Sequence, residues 1–538
     1  MSLGQPLREW RAAIGDDAVR DAEAATLAYG SSTTGEHRRI AAALRPASRE
    51  QVPRIVEIAV RSRVPLYPIS TGHNWGYGCA LPARDDCVVL DLSRLDAISD
   101  FDPDIGTLTV EPGVTQQMLA QFLEARHAPF LVPVTGAGPS ASILGNALER
   151  GYGITPHADH FLAVQSLEAV LADGRVYRPA LAALGAEAAD RAFKWGVGPY
   201  LDGLFAQGSF GIVTAMTIAL ARRPDRVRAF LFALRGEDAL GPCVAALRDV
   251  LSRLPGLVGG INLMNRRRVL AMAAPFPANK VSADGLLADS DLAPMAARLR
   301  VAPWTAFGTL YGTAKTVRAA QSEIRRLVRP VAQGLTFISP TGARRMRRVA
   351  QRLPGKAGAA LARRAALLDS SLDLVAGRPS QGVLPLAYWR SGRLPPAGEP
   401  MDPARDGCGL IWYAPLVPMT GESVLRYVTF VTATMRRHQI EPLLTLTTLS
   451  ERCFDSSVPL LFDRNDPAAV ARATACYRAL LDEGAREGFV PYRVAGSAMD
   501  WLVRPGIVAW DVAAAIKRAF DPLDIIAPGR YAPRVAKP

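Results

Sequence analysis

Cysteine and histidine are scarce in this chain, six of each in 538 residues. Cys79, Cys87, Cys243, Cys408, Cys453 and Cys476 are scattered, with neither the paired spacing of a metal site nor the density of a disulfide framework. Reduced thiols and no structural metal are therefore expected. Long uncharged apolar runs are also missing, which argues against a membrane-spanning segment. The opening Met1-Ser-Leu-Gly-Gln-Pro-Leu-Arg8 has no apolar core of a signal peptide, so a cytoplasmic location with no membrane partner is the expectation. Acidic residues fall short of basic ones, 50 against 63, and the net charge is +13. That balance would suit nucleic acid, an anionic surface or an acidic protein. No nucleic-acid-binding motif accompanies it, and nucleic acid is not expected as a partner. The densest basic cluster, Arg344, Arg345, Arg347, Arg348, Arg352, Lys356, Arg363 and Arg364, has near-helical spacing. It reads either as a solvated helix face or as a docking site for an acidic redox or carrier protein.

At 538 residues the chain is too long for one ordinary core, and two domains are expected. The segment Pro68-Ile-Ser-Thr-Gly-His73-Asn-Trp-Gly-Tyr77-Gly78 puts three glycines, an imidazole and a phenol into one short loop. It follows Val64-Pro-Leu-Tyr67, read as a buried strand. Gly72, Gly76 and Gly78 permit positive φ and close backbone approach, and successive N–H groups in such a turn form a nest suited to a pyrophosphate. Residues 1 to about 40 read as a helical lead-in. Beyond them, short apolar strands at Cys87–Asp91, Thr107–Glu111 and Leu167–Ala172 alternate with helices, including Thr115 to Glu124. Ala172-Asp-Gly-Arg175 suits a hairpin turn. The stretch from Ala376 to Gly407 is rich in proline, glycine and polar residues and reads as a long loop, either functional or a disordered surface excursion.

Several further segments follow in a fixed order: Arg45-Pro-Ala-Ser-Arg-Glu-Gln-Val52, Val110-Glu-Pro-Gly-Val-Thr115, Leu144-Gly-Asn-Ala-Leu-Glu-Arg-Gly151, Thr155-Pro-His-Ala-Asp-His160, Phe193 to Phe205, Gly208-Ser-Phe-Gly-Ile-Val-Thr214 and Asp521-Pro-Leu-Asp-Ile-Ile-Ala-Pro-Gly-Arg530. With the glycine loop, this order resembles the vanillyl-alcohol oxidase and para-cresol methylhydroxylase family of FAD-linked oxidoreductases. The resemblance is dense from about residue 40 to 222 and again from about 486 to 532, and looser between. It implies an α+β fold with an FAD-binding domain over residues 1–222, rejoined by 496–538, and a cap over 223–495 that contains much of the substrate cavity. It also implies a homodimer.

By the same resemblance, Ser70, Thr71, Gly72, His73, Asn74, Gly78, Ser142, Gly145, Asn146, Gly151, Gly208, Gly211 and Val213 would line FAD, and Arg530 would face the flavin N1 and C2 carbonyl. A fixed guanidinium there would stabilise the anionic reduced flavin. His73 stands where phenol-oxidising members generally carry arginine or lysine. Oxidases of the wider superfamily have a histidine there that bonds to the flavin 8-alpha carbon, so a covalent histidyl flavin through His73 is expected, the alternative being a hydrogen bond to phosphate. Gly138-Pro139 lacks the cysteine of doubly linked relatives, and Cys408 reads as an apolar-loop thiol. Tyr413 is a second, weaker attachment candidate.

Tyr77, Tyr492 and Arg493 match the residues with which phenol-oxidising relatives hold a phenolate oxygen. A free phenol titrates near pH 10, so half-ionising it at pH 7 needs roughly 4 kcal/mol. One charge-assisted hydrogen bond contributes roughly 1.5 to 3 kcal/mol, so several converging donors are needed. Hydride would then leave the para substituent for flavin N5. The sequence departs from the family at Ala137, where relatives carry an acidic or hydroxyl residue, and at Asp455-Ser456, which replace paired histidines. Asp455 is thus an acid/base candidate, and His157, Asp159 and His160 suit a structural hydrogen-bond network. The function expected is FAD-dependent oxidation of a para-substituted phenol or bulky aromatic, by an oxidase or a dehydrogenase. Oxidation of an alcohol or amine, or a flavin-retaining carrier-docking role, stays open.

Overall fold

The computed structural model describes residues 3–282 and 285–532, and three β-sheets organise these residues. The first sheet runs Val19–Arg20, Ile40–Leu44, Cys87–Asp91, Leu66–Ile69 in spatial order, with the last three strands parallel. Parallel neighbours need a crossover, and the helix Val52–Ser62 supplies it. Its start is written in the Arg45–Val52 segment: Gln51 Oε1 accepts from the backbone N–H of Ala47 and Ser48 at 2.7 and 3.3 Å, as in a capping box. Val52, Ile55, Val56, Ile58 and Ala59 bury one face, and Arg63 ends the helix at φ 53°. The expected strand at Val64–Tyr67 begins two residues later, because the Val64 N–H is held by the Ala59 carbonyl in the helix exit.

The second sheet is antiparallel, in the order Ile98–Asp102, Thr107–Val110, Ile212–Ala219, Val164–Val170, Val176–Tyr177. Gly174 at φ 83° makes the expected hairpin turn, and Thr115 Oγ1 caps the helix Gln116–Ala125 by accepting from Met118 N. The closing segment returns to the first sheet. Ala527 N donates to the Leu66 carbonyl and Leu66 N to that of Ile525. Lys517, fully buried, donates to the Asp521 carboxylate and to the carbonyls of Ser209 and Ile526, each at 2.7 Å. Asp521 in turn accepts from Ile525 N and Ile526 N. A buried ammonium with all three protons placed is held rather than merely tolerated.

Nine strands from residues 226 to 493 form the third sheet. Eight lie in the order Ala332–Ile338, Arg226–Leu234, Trp304–Gly312, Val258–Asn265, Thr445–Thr448, Cys453–Ser456, Cys408–Pro418, Val458–Asp463, and Pro491–Arg493 pairs with Cys408–Pro418. Successive side chains point to opposite faces. Phe230, Phe232, Ile261, Leu263, Ala306, Leu310 and Leu446 pack with the helices Leu240–Arg253, Ala314–Val328, Gly421–Arg437 and Pro467–Glu487 into one core. The intervening residues face the other way, into a cavity.

Two segments differ from expectation. The stretch from Ala376 to Gly407 is largely irregular, as read, with residues 396–400 exposed, but its middle is buried: Leu384, Leu386, Ala387, Tyr388 and Trp389 are buried, with Tyr388 Oη donating to Asp406 at 2.6 Å and Trp389 Nε1 to the Ala274 carbonyl at 3.0 Å. Its apolar residues outweigh its turn-forming composition. Cys408 lies in no loop but opens the strand Cys408–Pro418, fully buried. The basic cluster falls on two helices, Pro340–Gln351 and Gly355–Val375. Arg344 and Arg347 pair with Asp373 and Asp369, at 3.9 and 2.7 Å, while Arg345, Arg348 and Arg352 are exposed. The side chains of Lys356, Arg363 and Arg364 lie outside the described residues. No helix among the described residues is long and apolar enough to cross a membrane.

Candidate active site

The glycine loop follows the strand Leu66–Ile69 and is pinned at both ends. Gly76 N donates to Thr33 Oγ1 at 2.7 Å, and Tyr77 N and Cys79 N donate to the Asn74 carbonyl. Gly76, at φ 80°, lies against the Trp412 indole, where a Cβ would sit 2.2 Å from Cδ1. No other residue fits both that conformation and that contact. The His73 ring stacks on Trp75 at 5.0 Å, and its Nδ1 lies 3.2 Å from the Ser140 carbonyl. A carbonyl only accepts, so Nδ1 carries the proton and the lone pair resides on Nε2.

This loop borders a cavity of about 1460 Å³ between the three sheets. Ser70, Thr71, Gly72, His73, Asn74, Ser142, Gly145, Asn146, Gly151, Gly208, Gly211, Val213 and Arg530 line it, and so do Tyr77, Asp455, Tyr492 and Arg493. Residues 380 positions and more apart in sequence thus meet at one site. Gly78 does not line it; the residue sits behind the wall, where the Tyr77 carbonyl accepts from Gly496 N. Drug-sized ligands occupy roughly 300–1,000 Å³, so this space admits a dinucleotide and a second molecule. The walls also fit such a cofactor. A Cβ on Gly145 would lie 2.2 Å from Ser70 Oγ and one on Gly151 2.0 Å from Asn146 Oδ1, so only glycine lets these segments pack as a backbone cradle.

Charge is concentrated around Glu149. Arg530 Nη2 donates to Glu149 Oε1 at 2.7 Å, Arg493 Nε lies 3.4 Å from Glu149 Oε2, and Tyr531 Oη donates to the same carboxylate at 3.3 Å. Burial works to raise the Glu149 pKa, but Arg530 and Arg493 outweigh it and hold the carboxyl below its usual range. Arg493 also donates to Asn74 Oδ1 and lies 4.1 Å over the Tyr77 ring. Two guanidiniums against one carboxylate leave one positive charge facing the cavity. Burial pushes the pKa of Tyr77 and Tyr492 up, so both stay neutral hydroxyl donors. Tyr492 meets Tyr152 edge to face at 5.3 Å.

The third sheet floors the rest of the cavity. Cross-strand register aligns Thr336, Leu231, Phe307, Asn262, Thr447 and Asp455 in one row, with Gln333, Ala233, Thr305, Met264 and Thr445 beside it. All of them line the cavity. Strands are spaced about 4.8 Å apart, so the first row forms a trough about 24 Å long. Asp455 closes it at the end nearest Tyr77 and Tyr492. Among the described residues only Ser457 Oγ, at 3.2 Å, donates to its carboxylate, and Oδ1 has no partner. Burial therefore raises Asp455 to a pKa of about 7, with Ser457 and Arg493 opposing.

Comparison with known proteins is consistent with this geometry. Residues 40–179 match the family model of the FAD binding domain. The chain is 34% identical to 1'-carboxy-chondrochloren decarboxylase of Chondromyces crocatus over 98% of its own length and 97% of that protein's. It is 27% identical to the 4-cresol dehydrogenase [hydroxylating] flavoprotein subunit of Pseudomonas putida, covering 98% and 95%. Among solved structures, p-cresol methylhydroxylase with substrate bound superposes with a TM-score of 0.87 at 26% identity, covering 99% of this chain and 97% of that one. The 4-ethylphenol oxidase from Gulosibacter chungangensis, in complex with isoeugenol, matches with a TM-score of 0.87 at 25% identity, covering 98% and 97%. The chain belongs to the vanillyl-alcohol oxidase and para-cresol methylhydroxylase family. It is an FAD-dependent oxidoreductase of mixed helix and sheet.

As a member of that family, the protein has features that its sequence concealed. Tyr413 is no attachment candidate: it is fully buried in the core behind the sheet, donating to the Phe489 carbonyl at 3.1 Å. Of the hydrogen-bond network expected at His157, Asp159 and His160, His160 makes one side-chain contact, to Asn146, and its buried Nε2 has no partner among the described residues. Asn146 Nδ2 lies 2.6 Å from its Nδ1, and burial lowers its pKa to about 4. Glu149 was missed. Its signal was an acid inside the Leu144–Gly151 segment, meaningful only once two distant arginines arrive beside it. Arg268 was missed as well, hidden in the run Arg266-Arg-Arg268; it lines the cavity.

Proposed function

We propose that this protein oxidises a para-substituted phenol, with residues 1–222 and 496–538 holding FAD and residues 223–495 covering it. Ser70 to Asn74, Ser142, Gly145, Asn146, Gly151, Gly208, Gly211 and Val213 would hold the cofactor, with Arg530 at its N1 and C2 carbonyl edge. His73 would attach to the 8-alpha carbon through Nε2, the nitrogen whose lone pair is free. FAD, when bound, supplies a two-electron hydride acceptor. The chain supplies everything that prepares the substrate for it.

The observation that carries the reading is the convergence of Tyr77, Tyr492 and Arg493 beside a cluster with one uncompensated positive charge. Two neutral hydroxyls and a guanidinium are three donors for one phenolate oxygen, and their sum covers the roughly 4 kcal/mol needed to ionise it at neutral pH. Glu149 fixes both arginines without neutralising them. Asp455 lines the same cavity near these donors, with a free oxygen that would take or return a proton at the para substituent. After two electrons leave that substituent, the ring is an electron sink. Water can add to the oxidised para carbon, the displaced π pair returning to the ring, or the electron pair of a breaking C–CO2 bond on the next carbon can move toward it. The relative named as a decarboxylase favours the second fate, and the trough favours a substrate with an extended tail.

The test compares a para-substituted phenol with its methyl ether, which cannot ionise. Anaerobic mixing should bleach the flavin with the phenol alone. Equal bleaching by the ether would overturn the phenolate reading in favour of alcohol or amine oxidation.

A further inference from the structure

A buried guanidinium costs several kcal/mol unless an anion faces it. Several inward-facing cations among the described residues have a carboxylate in contact. Arg267 pairs with Glu441 and Asp289, Arg530 and Arg493 with Glu149, and Lys517 with Asp521. Arg268 does not. It stands in the first turn of the helix Arg266–Ala273, one position from the paired Arg267, and its side chain turns to the cavity instead. Its Nε donates to Thr445 Oγ1 at 3.1 Å, and its Nη1 is buried with no hydrogen-bond partner. No carboxylate among the described residues forms an ion pair with it. Burial alone acts on it, lowering its pKa to about 10, so it is charged at neutral pH.

Its place in the trough says what it faces. Thr445 lies two residues along its strand from Thr447, the direct cross-strand neighbour of Asp455, a separation of roughly 6.6 Å. The guanidinium is thus bonded to the trough floor toward the Asp455 end, not at the far end. We propose that Arg268 is the anchor for a carboxylate on the substrate, so that the cavity selects phenols whose para side chain carries a carboxylate group. The proposal rests on the phenol reading above. Phenol oxygen and carboxylate would be gripped by different cations, Arg493 and Arg268, on either side of the reacting carbon, which fixes the molecule at two points and excludes its reversed orientation. Met264, Met272 and Val269, beside Arg268 on the cavity wall, keep the pair out of water, where a charge-assisted hydrogen bond is strongest.

Binding tests this without turnover. The probes are 3-(4-methoxyphenyl)propanoate and its primary amide, neither of which can become a phenolate, titrated into the holoenzyme and followed by the flavin absorbance. The wild type is expected to bind the carboxylate about 10- to 100-fold more tightly than the amide, the range of one charged hydrogen-bonded contact. Arg268→Met should erase that preference by weakening the carboxylate alone, and Arg268→Lys should restore part of it. A wild type that binds the two probes equally overturns the proposal, as does an Arg268→Met protein that retains the preference or loses affinity for both probes alike. The wild-type comparison decides even where the methionine variant fails to fold. Failure of free phenols to bleach the flavin would sink the phenol reading and leave the carboxylate preference measurable.

Discussion

Asp455 shares a wall with two phenols, yet no donor reaches its Oδ1. Burial has raised its pKa from 3.8 to about 7, so the carboxyl holds its proton below that pH and becomes a base above it. If it serves as the base at the para substituent, kcat/KM rises with pH and levels off above about 7. Asp455→Asn should remove that ascending limb and lower the rate about 100-fold or more; an unchanged limb in the variant would assign it to another group. His73 makes a second residue-scale prediction. Acid precipitation of the wild type should give a yellow pellet and a colourless supernatant, whereas His73→Ala should bind FAD but release it into the supernatant. Colour in the wild-type supernatant would contradict the covalent bond. The histidine was legible in the sequence because a loop motif is local. The role of Glu149 was not, since its meaning comes from Arg493 and Arg530, more than 340 positions away.

The elements tell the same story at larger scale. Strands in the flavin-binding part were readable because each is a short apolar run between turn signals, and Cys87–Asp91 falls where the sequence puts it. The burial within the Ala376–Gly407 stretch was not readable, because Leu384, Leu386 and Trp389 are buried by contacts with distant elements rather than by any local period. Nor was the trough, which exists only through the register of six strands. That register is testable. Leu231 lies four strands from Asp455, about 19 Å along the floor. Leu231→Trp should leave kcat/KM for a short para-alkylphenol within about two-fold and lower it at least about ten-fold for a phenol with a long acyl tail, each residue blocking only its own stretch of floor. Equal loss for both would mean that the trough is not where the tail runs.

At the scale of the whole molecule, two charge-bearing surfaces meet across one cavity. The sheets built from residues 19–219 bring the glycine loop, Asn146 and Glu149, the closing segment brings Arg530, and the nine-stranded sheet brings Arg493, Asp455 and the trough. On the phenol reading, neither side would hold a phenolate alone. The most direct test therefore looks at the bound phenol itself, using 4-bromophenol, which has no benzylic hydrogen to give up. Its ultraviolet difference spectrum at pH 7 with the holoenzyme should be that of the phenolate, and Arg493→Met should return it to the neutral phenol. A spectrum of neutral phenol bound to the wild type would contradict the central claim that this site ionises its substrate before oxidising it.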